Sequence, residues 1–232
     1  MIDVVETQIE RTARRKTIGL EIHPGPVVRV LAPASITDDQ LRSALESKIT
    51  WIHENLSDSR VKEQSKSKEM VSGESFLFKG RNYRLKVLRG VTAPTLIKDS
   101  YIIVSVPSSV EEADKEEYIK VSLEKWYFEQ AHEALPAIAQ WLSAQVGVKP
   151  KSVKIKSYKR SWGRCSPEGE ISFNWRVVML PPSLVNYVVA HELTHILHAN
   201  HSKAFWQALG MVVTDPREKD RMLVSYIPEV EF

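Results

Sequence analysis

The sequence predicts an α+β fold, a strand-rich N-terminal half followed by a helical half, and three observations carry that reading. Up to about residue 107, short apolar runs alternate with Gly, Pro, Asn and Asp turn signals. Beyond it, apolar residues recur at helical spacing over long stretches. No internal repeat or low-complexity tract breaks this order. The expected domains are residues 1–107, strands with an inserted helix, and residues 108–232, the helical half.

Three β-like segments open the chain, at residues 4–11, 17–23 and 27–31. His23-Pro24-Gly25-Pro26 separates the last two. A helix over residues 38–56 is expected, because Thr37 and Gln40 make a capping box and Leu41, Leu45, Ile49 and Ile52 share a face. Strands at 75–78 and 83–88 flank a turn at Lys79-Gly80-Arg81-Asn82, and strands at 95–98 and 101–106 flank Asp99-Ser100. Ser109 and Glu112 suggest a second capping box, opening a long helix that Pro136 kinks and Gly147 ends. Residues 153–157 and 171–174 read as strands. Pro181-Pro182 opens a helix over residues 183–199, and short helices follow from Lys203 and Pro216.

Composition supplies ample core material: 43% of the 232 residues are hydrophobic and 26% charged, which excludes a disordered chain. No run approaches the roughly 18 apolar residues of a membrane span. Residues 1–16 hold no apolar core of a secretory signal. The single Cys165 rules out an internal disulfide, and a cytoplasmic location is expected. The net charge of +3 is too small to imply nucleic-acid binding. It hides basic strips at 79–89 and 151–164 and an acidic stretch at 111–133.

The informative segment is His191-Glu192-Leu193-Thr194-His195. On a helix His191 and His195 stand one turn apart on one face, so both imidazoles reach a single ion. Glu192 stands about 100° round, within reach of a water beside that ion. Such a pattern is short enough to arise by chance on an amphipathic helix. His201 decides the matter: a zinc site of this kind needs a third protein ligand, and a turn at Ala199-Asn200 would return it. The predicted metal ligands are therefore His191, His195 and His201, with one Zn²⁺ per chain and Glu192 as catalytic base. His198 is expected to stand behind the ligands or in solvent. Ser202 is expected to cap the following helix. Cys165 is read as structural, since the histidines that would activate a thiol are already engaged by the metal.

Residues 188–195 (VVAHELTH), followed by 200–206 (NHSKAFW), resemble the YgjP-like metallopeptidase family. Arg15-Lys16-Thr17-Ile18, Trp51-Ile52, Tyr83-Arg84-Leu85, Trp162-Gly163, Cys165-Ser166 and Asn174-Trp175-Arg176 extend the resemblance over roughly residues 11–228. The resemblance implies a zincin-like catalytic half, related to the SprT and WLM families, with the same three ligands and the same Glu192. The arginines around Trp162-Gly163 depart from the family's usual Lys-Ser-Arg-Trp-Gly-Ser-Cys-Ser.

Three neutral imidazoles leave zinc its full charge, which suits it to activating water. A carbonyl electrophile would make the enzyme a peptidase-type hydrolase, the leading reading. The strand at residues 170–174 could then pair with an extended peptide. A phosphorus electrophile would make it a nucleotide pyrophosphatase or phosphohydrolase, using nearby cations. Arg160, Arg164, Arg176 and Asn174 are the candidate substrate contacts. A binding module with a metal is the third reading, and the intact Glu192 argues against it. The expected partner is thus a peptide or a phosphorylated small molecule, with no membrane.

Overall fold

The structure, a computed structural model, describes residues 6–13, 15, 17–23, 27–46, 68–158 and 161–226. The chain divides into two compact units, residues 1–67 and 68–232.

In the first unit, β1 (Glu6–Thr12) pairs in parallel with β3 (Val27–Pro33), whose other side takes β2 (Gly19–His23) antiparallel. Helix α1 (Asp38–Glu46) begins at the expected capping box: Thr37 N–H donates to Gln40 Oε1, and Gln40 N–H to Thr37 Oγ1. Leu41 and Leu45 of α1 bury with Val30 and Ala32 of β3 in a small separate core. The expected continuation of this helix to residue 56 lies outside the described residues.

The second unit opens with a four-stranded sheet in the order β4-β5-β7-β6. Its strands are β4 (Ser75–Phe78), β5 (Arg81–Arg89), β6 (Leu96–Lys98) and β7 (Tyr101–Val106). Lys79 and Gly80 both have positive φ, the geometry of a two-residue hairpin turn. Gly80 is required twice over, because a β-carbon there would lie 2.8 Å from Pro181 Cα. This tight turn docks the hairpin against the chain that leads into the later helices.

Helix α2 (Lys115–Val146) runs unbroken through Pro136 and ends at Gly147 in the left-handed conformation. It starts after Asp114 rather than at the Ser109–Glu112 box, whose residues form turns instead. Ile119, Leu123, Tyr127, Ala131, Leu135, Ala139 and Leu142 make one buried stripe on it. Tyr127 donates its hydroxyl to the Leu77 carbonyl at 2.8 Å, tying α2 to β4. The division expected at residue 107 therefore falls inside this unit: Ile102, Val104 and Val106 of β7 share one core with α2.

A second sheet has the order β8-β10-β9, with β8 (Ser152–Lys156), β9 (Gly163–Cys165) and β10 (Glu170–Asn174). A 3-10 turn (Trp175–Met179) leads to α3 (Pro182–Thr194), with Pro182 in its first turn as expected. Helices α4 (Lys203–Gly210) and α5 (Pro216–Tyr226) complete the unit. No helix among the described residues is long and apolar enough to cross a membrane.

Candidate metal centre

Helix α3 ends at Thr194, well short of the expected residue 199. Thr194 turns its hydroxyl back to the Ala190 carbonyl at 2.7 Å, and the next bonds tighten to 3-10 type, Ile196 N–H to Leu193 O and Leu197 N–H to Thr194 O. This early stop lets the chain return. Ile196 and Leu197 lie beyond the end of the helix, and Leu197 is exposed. Ser202 then caps α4 by accepting from Phe205 N–H.

The return brings His191, His195 and His201 together, with one ligand atom from each within 4.8 Å of the others. The Nε2 atoms of His191 and His201 are 2.9 Å apart. Nitrogens on a tetrahedral zinc at about 2.0–2.1 Å would stand roughly 3.3 Å from one another, so the donor set fits one such ion after small side-chain adjustments. Phe205, fully buried, packs its ring 4.7–5.0 Å from all three imidazoles and forms the floor of the cluster.

Electrostatics favour ligation. Burial, with the neighbouring His195 and His201, lowers His191 to about 3, and burial also lowers His195. Both rings are thus neutral near pH 7, as metal ligands must be. His195 Nδ1 faces the His198 carbonyl at 3.0 Å. A carbonyl only accepts, so the proton sits on Nδ1 and the lone pair on Nε2. The contact from His198 is thus made by its main chain.

Glu192 is buried, with 8% of its surface exposed, and burial raises its carboxyl to about 7. It faces β9. A β-carbon on Gly163 would fall 2.7 Å from Glu192 Cγ and 2.9 Å from Oε1, so only glycine admits the carboxylate there. Cys165, two residues on, lies on the same face of the strand, and burial followed by the Glu192 charge raises its thiol. A thiol held protonated is a poor nucleophile, consistent with a structural Cys165.

The candidate substrate contacts scatter. Arg164 alternates to the face opposite Gly163, where its guanidinium lies 4.7 Å from the Tyr158 ring centroid, beside its cross-strand neighbour Ser172. Arg176 stacks on Trp175, 4.1 Å from the ring centroid. Asn174 is buried and its amide bonds three main-chain groups: it donates to the Tyr158 and Ser161 carbonyls and accepts from Arg176 N–H. Arg160 lies outside the described residues. Strand β10 is central, paired with β8 in parallel and β9 antiparallel, so neither of its edges is open to a peptide. The edge strands are β8 and β9, and the sequence reading missed β9; a three-residue strand containing Gly and Arg gives no periodic signal. Trp162 O accepts from Asn174 N–H and Ser166 N–H donates to Glu170 O. By antiparallel alternation, the N–H and C=O groups of Gly163 and Cys165 point away from β10, toward the open edge.

The pattern of the YgjP-like metallopeptidase domain matches residues 16–226. The chain belongs to this family. It is accordingly a metal-dependent hydrolase of the metallopeptidase kind. No curated protein matches it. A solved structure similar to part of the chain is the crystal structure of the metallopeptidase zymogen of Pyrococcus abyssi abylysin. It is 24% identical with a TM-score of 0.36, over 39% of this chain and 93% of that one.

Two residues that sequence reasoning passed over stand against this YgjP-like centre: Tyr187, whose hydroxyl is 3.2 Å from His191 Nδ1, and Asp220, which accepts from Tyr187 at 2.8 Å. The helical spacing of Tyr187 and His191, four residues apart, was the available signal.

Proposed function

We propose that this chain is a zinc peptidase acting on extended polypeptide, with His191, His195 and His201 as ligands and Glu192 as general base. The convergence of three imidazoles beside a buried carboxylate carries the reading. Zinc, when bound, supplies a Lewis acid that polarises the scissile carbonyl and acidifies water. Glu192 takes the proton of the attacking water on its carboxylate and delivers it to the departing amine. Burial keeps that carboxylate basic enough for the first transfer. Gly163 leaves it the room to stand there. The β9 edge, with Gly163 and Cys165 offering main-chain groups, supports an added substrate strand, which fixes the scissile bond by backbone hydrogen bonds rather than by side-chain identity. The expected specificity is therefore broad in sequence and strict for an extended conformation. The unpaired Cys165 suits a reducing, cytoplasmic setting.

The test is hydrolysis of an unfolded polypeptide by the purified chain. About one zinc per chain, activity abolished by a chelator and restored by zinc would support the reading. Full activity in the metal-free protein would contradict it.

A further inference from the structure

Helix α5 does no evident work in the proposed reaction, yet two of its residues reach toward the metal centre by separate routes. Tyr187 donates its only hydroxyl proton to Asp220 Oδ1 at 2.8 Å, because a carboxylate oxygen only accepts. Toward His191 Nδ1, at 3.2 Å, the phenol oxygen is then left as an acceptor. His191 must carry its proton on Nδ1, which leaves the Nε2 lone pair directed at His201 Nε2. Tyr187 is almost fully buried and Asp220 exposed, so a surface carboxylate fixes the tautomer of a buried imidazole through one intervening ring.

The second route begins three residues earlier on the same helical face. Arg217 lies 3.9 Å from the centroid of the Trp206 ring, and Trp206 donates its indole N–H to the His201 carbonyl at 3.1 Å. The indole also stands against the His201 imidazole, with ring centroids 5.8 Å apart. His195 is held locally, by the His198 carbonyl. The other two ligands, from different elements, both lead back to one turn of α5.

We infer that α5 is a brace of the metal centre, in which Asp220 acting through Tyr187, and Arg217 acting through Trp206, are positioning residues for His191 and His201. The inference rests on the reading of the three histidines as metal ligands. Residues that orient metal-binding imidazoles typically change metal affinity 10–100-fold on substitution. Asp220 is exposed, so a role limited to the surface of α5 would leave affinity unmoved.

The experiment is zinc affinity of the full-length chain, measured by competition with a chromophoric chelator. Asp220→Ala and Tyr187→Phe should each weaken zinc binding by roughly 10–100-fold, and the double variant should be no weaker than Tyr187→Phe alone, since both act along one route. Asp220→Asn retains an acceptor oxygen and should keep most of the affinity. Arg217→Ala should weaken binding by a few-fold. Binding within two-fold of wild type in both Asp220→Ala and Tyr187→Phe would overturn the brace. His201→Ala is the reference: its loss of affinity, with the α5 variants unaffected, rejects the brace while sparing the ligand assignment. Undiminished zinc binding in His201→Ala would reject both.

Discussion

The main chain of Gly163 and the carboxylate of Glu192 touch so closely that a β-carbon on Gly163 would stand 2.9 Å from Oε1. The contact joins β9, an edge strand of the second sheet, to the helix carrying His191 and His195. Gly163→Ala should push the Glu192 side chain from its place without disturbing the imidazoles. Expected are a destabilisation of about 1–3 kcal/mol from overpacking, zinc affinity within a few-fold of wild type, and turnover reduced by at least roughly tenfold. Chelator competition and steady-state kinetics on the same preparations check this split.

Burial of Glu192 also costs stability in the metal-free chain. Its folded-state carboxyl, raised from the ordinary 4.5 to about 7, is neutral in both states below pH 4.5, so no difference exists there. Between pH 4.5 and 7 the unfolded chain ionises first and stability is lost as pH rises. Glu192→Gln should therefore stabilise the metal-free protein at pH 8, by up to about 3 kcal/mol. The gain should vanish near pH 4. Denaturant titrations of both proteins at the two pH values measure it.

His191 works in the opposite direction. Held down at about 3 against an ordinary 6.5, it is neutral when folded and protonates more readily when unfolded. Its contribution to stability is complete above pH 6.5 and is lost as pH falls toward 3. His195 shares the direction. Acid should therefore weaken both the metal-free fold and zinc binding. Thermal melting of the metal-free chain in steps from pH 7 to 4 should show His191→Phe less acid-sensitive than wild type.

His198 offers its carbonyl to His195, and every residue has a carbonyl. His198→Ala should retain zinc affinity within about three-fold, whereas His201→Ala removes a ligand and should lose at least two orders of magnitude. Metal analysis after dialysis against a weak chelator separates the two variants.

Main-chain recognition at the β9 edge gives a prediction on the substrate side. Replacing one substrate amide by an ester removes a single N–H. At the position facing Cys165 or Gly163 this should lower kcat/KM about 5–10-fold, the worth of one ordinary hydrogen bond. Equal rates at every ester position would argue against strand addition.

The strands up to residue 106 and the opening of α3 were legible in the sequence because hairpin turns and prolines act locally. The clustering of the three histidines was legible because helical spacing puts His191 and His195 on one face and a turn after the helix can return His201 to it. The early end of α3 was not, since it depends on Thr194 turning back to Ala190, a choice made by side-chain geometry. Strand β9 was hidden by its brevity, and with it the reason for Gly163, which appears only when Glu192 packs against it. Asp220 lies 33 residues from Tyr187, and no local pattern announces that pairing. The arginines read as substrate contacts illustrate the converse: closeness in sequence to the metal helix said nothing about which strand face Arg164 would take.

The most direct test is turnover of an unfolded polypeptide by Glu192→Gln at zinc occupancy matched to wild type. Glutamine keeps the size and polarity of the side chain but cannot accept the proton. A fall in kcat on the order of 100-fold or more, with zinc retained, is the expected result. Turnover equal to wild type at equal zinc content would contradict the assignment of Glu192 as the base.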